Sequence, residues 1–146
     1  NAYFNLTKLG ASITAYFPSF YGPMNDGING RDDSDRVLVV WALDSQKATE
    51  ASTGNLKAPD LEMLTRSGAE VALKVDTNDR PVEMDASGDT ILVGVPRDIV
   101  EIRRNDPDLA HLWRLATRDI LSGALNDGYE VVAMTRSGYY VLERIK

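Results

Sequence analysis

The fold is decided by the first stretch of the chain, Asn1-Ala2-Tyr3-Phe4-Asn5-Leu6-Thr7-Lys8-Leu9-Gly10, together with the adjoining run Ala11-Ser12-Ile13-Thr14-Ala15-Tyr16-Phe17. Apolar residues at 2, 6 and 9, with Phe4 beside them, keep helical spacing as far as Gly10. Gly10 suits the left-handed position just past a helix end. Residues 11–17 then read as a strand. No capping residue or first turn precedes the pattern, so the sequence predicts a helix cut short and a chain that is a piece of a larger protein.

Outward from there, residues 18–35 carry Gly22-Pro23, Asp26-Gly27 and Asn29-Gly30, all turn signals. Residues 36–43, nearly continuous in Val, Leu and Trp, read as a strand covered on both faces. Residues 44–60 are polar and without sustained periodicity; they read as a linker, with a short exposed helix as the alternative at 45–52. The region 61–146 predicts a strand at 70–75 and a hairpin formed by 81–84 and 90–95 around Ala86-Ser87-Gly88-Asp89. A short helix is expected at 96–104. A long one starts at Asp106-Pro107, where Asp suits the cap and Pro the first helical position. It runs through Leu109, Leu112, Trp113, Ala116, Ile120 and Ala124 to Asn126-Asp127-Gly128. Two strands, 129–135 and 139–144, close the chain around Arg136-Ser137-Gly138. The fold class is therefore mixed α/β: a helix-strand-loop-strand part (1–43), a linker (44–60) and an α+β region (61–146). Helix, Gly10 and two strands at the start echo helix, Gly128 and two strands at the end, which fits either a duplicated unit or a generic α/β arrangement.

The 146 residues are enough for a core without covalent staples, and the chain holds no cysteine. Disulfides, thiolate nucleophiles and Cys-based zinc sites are excluded, and a cytoplasmic setting is favoured. A net charge of −6 opposes a nucleic-acid backbone as partner. The longest apolar run, residues 37–43, is too short to span a bilayer. His111 is the single histidine, so no metal site is expected. The acidic loop starting at Asn25 fails as a calcium loop, since Gly27 stands at its third position and Arg36 at its twelfth.

Asn1, Ala2, Gly10, the strand from Ala11 and the Val-rich strand from Arg36 keep the order of a late helix and two strands in the GNAT acyltransferase superfamily. Residues 1–11, Phe20-Tyr21-Gly22, Ser34-Asp35-Arg36 and Trp41 resemble one uncharacterised subgroup of predicted acetyltransferases with an extra C-terminal region. Val95-Pro96-Arg97-Asp98, the run Trp113-Arg114-Leu115-Ala116-Thr117-Arg118 and Gly128-Tyr129 resemble that region. The resemblance implies transfer of an acyl group from acetyl-CoA, or another acyl-CoA, to a small-molecule amine. It places the pyrophosphate loop, and commonly the base, upstream of this chain. Leu6 stands where the family often has a tyrosine acid, and a leucine cannot donate a proton. The implied function is the C-terminal fragment of a coenzyme A-dependent N-acyltransferase, inactive alone, whose partner is the missing N-terminal half. The alternative is a non-catalytic module for small-ligand binding or homodimerisation.

Through the same resemblance, Asn1, Asn5 and Lys8 are candidates for the pantetheine or phosphate arm of coenzyme A, against a solvated polar helix face. Phe20, Tyr21, Arg36 and Trp41 are candidates for an acceptor pocket, since aromatic walls and one cation suit a small carboxylate or aromatic substrate. The alternative for these aromatics is core packing. Arg103-Arg104, Arg114 and Arg118 can form an anion patch, or pair with nearby carboxylates such as Asp108 and Asp119.

Overall fold

The computed structural model describes residues 1–22 and 34–146. The turn signals at Asp26-Gly27 and Asn29-Gly30, and most of the rejected calcium pattern, lie outside those residues. The fold is mixed α/β: one seven-stranded sheet of order β2-β1-β6-β7-β5-β3-β4 with helices packed on it. Its strands are β1 (Ser12–Phe17), β2 (Arg36–Val40), β3 (Glu70–Val75), β4 (Pro81–Glu83), β5 (Thr90–Gly94), β6 (Tyr129–Met134) and β7 (Tyr139–Arg144). The helices are α1 (Gln46–Ser52), α2 (Leu61–Arg66), α3 (Ile99–Asn105) and α4 (Pro107–Asn126), preceded by a short helical segment at the start of the chain. Strands from 1–43 and from 61–146 thus share one sheet, through the pairing of Ile13 with Val131.

The opening segment winds as a wide π turn over Phe4–Lys8, with Leu9 N–H donating to the Phe4 carbonyl at 3.2 Å. Leu6 and Thr7 are buried, while Phe4 stays about half exposed. Gly10 ends the turn at φ +71°, and a Cβ there would lie 2.8 Å from the Lys47 carbonyl oxygen on α1. Glycine is needed twice over: for the left-handed backbone and for the close approach of α1. Lys47 then reaches under the sheet and donates its ammonium to the carbonyls of Ala11 and Val132. Burial lowers its pKa, against an opposing pull from Glu143 and Glu130. The stretch expected as a linker therefore contains α1, capped by Ser45, whose hydroxyl accepts from Ala48 N–H at 3.1 Å.

Two strand expectations are corrected. Residues 81–84 and 90–95 do not pair with each other. β4 turns back on β3, and β3 separates it from β5, to which β3 is parallel. The turn at 76–80 explains this: Asp76 accepts from the N–H groups of Asn78 (2.7 Å) and Arg80 (2.9 Å), and Asp79 takes a left-handed φ of +60°. A self-bonded Asx turn closes the nearer hairpin first. The 85–89 link instead crosses the end of β3, where Glu70 accepts from Ser87 and Gly88 N–H. Nor is β2 covered on both faces. It is an edge strand, with Leu38, Val39 and Val40 each about two-fifths to one-half exposed. The strand covered on both faces is β5, whose Ile91, Leu92 and Val93 are all buried.

The echo between the two helix-strand-strand units has a geometric counterpart. Ile13 and Val131, which face each other, each stand three residues past a left-handed glycine, Gly10 and Gly128. Outward from that pair, β1–β2 and β6–β7 are both antiparallel, and each has its register break immediately after the central residue. The middle of the sheet is thus a local two-fold arrangement. α4 lies across it, capped by Asp106 with Pro107 at its start, as the sequence predicts. Trp113, Ala116, Leu121 and Ala124 point into a core shared with Leu6, Ile13, Leu73, Val93, Val131 and Leu142. The Trp113 indole N–H donates to the Asp79 carbonyl at 2.6 Å, fixing the β3–β4 turn beneath the helix.

Candidate functional site

Asp35, immediately before β2, organises the most charged buried region of the described residues. Its carboxylate takes Arg118 in two-point contact, Nε at 3.0 Å and Nη2 at 2.8 Å. It also accepts from Tyr16 Oη at 2.6 Å and from Ser19 N–H at 2.9 Å, with Arg114 Nη1 at 3.8 Å. Only 5% of the Asp35 side chain is exposed, against 12% of Arg114 and 21% of Arg118. Burial pushes the carboxyl pKa up, but the hydrogen bonds from Arg118, Ser19 and Tyr16 outweigh it and hold it below the usual range. Tyr16 shifts the other way: burial, then the hydrogen bond to Asp35, raise its phenol pKa far above normal. Beside Asp35, fully buried Ser34 accepts from Tyr21 N–H and donates to the Gly22 carbonyl, tying the two ends of the β1–β2 connection together.

For the arginines, the sequence offers Asp108 or Asp119 as partners. Arg118 takes Asp35, 83 positions away in sequence, because its place on α4 lies over the end of β1. One turn earlier on α4, Arg114 borders a cleft of about 250 Å³ between α3, α4 and the sheet. Tyr16 and Tyr140 form its floor from β1 and β7; Val95, Pro96 and Ile99 close one side, with Arg103 from α3. Trp113 and Thr117 complete the α4 wall. Burial raises the pKa of Tyr140, which keeps its hydroxyl protonated. Asp35 stays ionised and both tyrosines stay neutral near pH 7. The cleft is therefore not built to shuttle a proton at that pH.

The residues singled out from sequence fall elsewhere. Asn1 and Asn5 share a groove of about 260 Å³ with Leu6, Val37, Val39 and Tyr140, on the other side of Tyr140 from the cleft. Lys8 lies apart from them, in a shallow depression with Tyr3 and Arg136 at the β6–β7 turn. Phe20, Tyr21 and Arg36 do come together: the two rings meet edge to face at 4.9 Å, and the Arg36 guanidinium sits 5.1 Å from the Tyr21 ring centre. Trp41 does not join them, since it follows the far end of β2, up to about 17 Å along the strand. Core packing of these aromatics is not observed: Phe20, Tyr21 and Trp41 are 56%, 62% and 49% exposed. Leu6 is buried in the core.

Of the arginines 103, 104, 114 and 118 that the sequence singles out, Arg103 and Arg114 line one cleft; Asp35, Tyr16 and Tyr140 are not among the site residues the sequence predicts. The usable signal is Ser34-Asp35-Arg36, a polar triplet set against an apolar strand, whose buried members only the fold reveals. Among the described residues no group of three or more His, Asp or Glu side chains is arranged to hold a metal, and no helix is long and apolar enough to cross a membrane. Comparison with protein-family models, with curated proteins and with solved structures finds no match to this chain.

Proposed function

We propose that this chain is the C-terminal, acceptor-side part of a cytoplasmic coenzyme A-dependent N-acyltransferase. In this reading the cleft under Trp113 receives the small-molecule amine, and acetyl-CoA or another acyl-CoA is gripped by polypeptide that precedes the opening helix. The observation that carries the reading is the open edge at β2. The helix-glycine-strand-strand order that resembles the late GNAT core ends in a strand paired only with β1 among the described residues, whose Leu38, Val39 and Val40 are each about two-fifths to one-half exposed. An exposed apolar edge is a template for a further strand, and sheet proteins normally cover or charge it. The groove holding Asn1 and Asn5 opens beside this edge through Val37 and Val39, so a donor arm held there would lie across Tyr140 from the cleft. A second copy of the chain pairing through β2 is the other occupant consistent with the same edge.

Isothermal calorimetry with acetyl-CoA, on this chain and on the chain extended upstream of Asn1, tests the proposal. Binding by the extended protein alone is expected. Binding by neither removes the acyltransferase reading and leaves a small-ligand-binding or dimerisation module. That second reading is favoured by one feature: the cleft between α3, α4 and the sheet is lined by residues of this chain, with Tyr16 and Tyr140 both held protonated by burial. Sedimentation of the chain and of Leu38→Lys then reports on self-pairing, because a lysine on the edge opposes strand addition.

A further inference from the structure

Among the described residues β2 pairs only with β1, and its backbone makes no hydrogen bond outside that ladder. Edge strands are normally blunted by a lysine, a proline or a bulge, because their free N–H and C=O groups recruit further strands. Here the run Val37-Leu38-Val39-Val40-Trp41-Ala42-Leu43 carries neither proline nor charge; charges stand only at its ends, Arg36 before it and Asp44 after it. Arg36, Leu38 and Val40 share one face by the alternation of a strand. At the Arg36 end the apolar surface continues through Phe17, the cross-strand partner of Arg36, to Phe20 at 5.7 Å and on to Tyr21, 4.9 Å from Phe20. At the other end it continues through the exposed Trp41 and Leu43. These large side chains are on average half exposed, and at roughly 200 Å² each they leave about 700 Å² uncovered. That exceeds the largest apolar patch of a typical monomer and approaches the ~800 Å² that each partner brings to a standard interface.

We propose that β2 pairs antiparallel with β2 of a second copy of this chain, across a two-fold axis at Val40, joining the two sheets into one. The charge pattern selects this occupant and this direction. Arg36 and Asp44 stand four residues before and four after Val40, so antiparallel self-pairing about Val40 sets Arg36 of each copy toward Asp44 of the other. Parallel self-pairing would set arginine beside arginine and aspartate beside aspartate, which opposes it. The same axis brings the Phe20 and Tyr21 end of one copy toward Trp41 and Leu43 of the other, so the patch covers itself. Val37 and Val39 stand on the opposite face of β2 and line the groove that holds Asn1 and Asn5, so self-pairing leaves that wall in place. The interface goes beyond the acyltransferase reading and does not rest on it: it uses this chain's own edge, and its test uses no coenzyme A.

Sedimentation velocity across a micromolar concentration series is expected to show a reversible dimer. Leu38→Lys, at an exposed position where the circular dichroism should not change, is expected to weaken it at least tenfold. Asp44→Arg sets like charges together twice in each dimer and should weaken it at least fivefold; adding Arg36→Glu exchanges the two signs and should restore most of the affinity. Because the chain has no cysteine, Val40→Cys supplies a single thiol at the axis. It should form an interchain disulfide under mild oxidation, whereas Met63→Cys, exposed on α2, should not. A monomer at every concentration would overturn the proposal and leave the edge to an upstream strand or to another protein. A dimer as tight in Leu38→Lys as in the wild type, no recovery in the charge-exchanged pair, or cross-linking as efficient through Met63→Cys as through Val40→Cys would each overturn it too. Self-pairing together with failure of acetyl-CoA to bind the extended protein would remove the acyltransferase reading and leave the β2 interface standing.

Discussion

Replacing Asp35 by Asn keeps the side chain's size but removes the charge that Arg118 and Arg114 share. Breaking a buried ion pair by neutralising one partner costs about 3–5 kcal/mol, since the other charge is left uncompensated. Arg118 retains 21% exposure, so water recovers part of that, and about 3 kcal/mol is expected here. For a domain of this size each kcal/mol moves the melting temperature by about 3 °C, so the midpoint should fall by about 9 °C. Urea unfolding followed by circular dichroism gives the free energy directly. A double-mutant cycle with Arg118→Met should return a coupling of at least about 1.5 kcal/mol, because the arginine's removal relieves the stranded charge. The connection between β1 and β2 should loosen as well, since Asp35 also holds Ser19 N–H. A loss below about 0.5 kcal/mol in Asp35→Asn, or strict additivity with Arg118→Met, would refute the claim that this carboxylate anchors the site.

Three further outcomes are expected from the same fold. Gly10→Ala and Gly128→Ala both force a side chain into left-handed backbone, at about 1–2 kcal/mol each, but only at Gly10 does the new Cβ meet the Lys47 carbonyl at 2.8 Å. Chemical denaturation should therefore show Gly10→Ala clearly the worse of the two, and equal losses would contradict the packing of α1. Trp113→Phe removes an indole donor from the Asp79 carbonyl and leaves a void, for a loss of about 2–3 kcal/mol. Amide exchange should speed up selectively at residues 76–80. The pH dependence is two-sided. The lowered pKa of Asp35 gives stability that is complete above its unfolded value near 4 and lost as pH falls through the folded value. The raised pKa of Tyr16 gives stability that is complete below its unfolded value near 10 and lost as pH climbs beyond it. Urea midpoints measured from about pH 2.5 to 11 should show the gap between wild type and Asp35→Asn closing in acid, while Tyr16→Phe flattens the alkaline limb and, by removing one hydrogen bond that lowers the Asp35 pKa, part of the acid limb. A gap that stays the same at about pH 3 and pH 7 would exclude the acid half of this account.

What the sequence determined by itself was everything set by short-range chemistry. Asp106-Pro107 starts α4, Gly10 and Gly128 end their helices, and Arg136-Ser137-Gly138 closes the last hairpin, because capping and left-handed turns depend on a few neighbouring residues. Apolar spacing picked out Trp113, Ala116 and Ala124, which are buried, together with Leu112, which is 39% exposed. Strand order was decided only by the tertiary structure. The Val-rich run at 36–40 and the run at 91–93 look alike as sequences, yet one is an open edge and the other lies inside the sheet, because neighbours distant in the chain supply or withhold the cover. The same holds for the site. Arg118 reaches Asp35, far away in sequence, and Tyr16, Arg103 and Tyr140 meet around one cleft, only once α4 has been laid across the joined halves of the sheet.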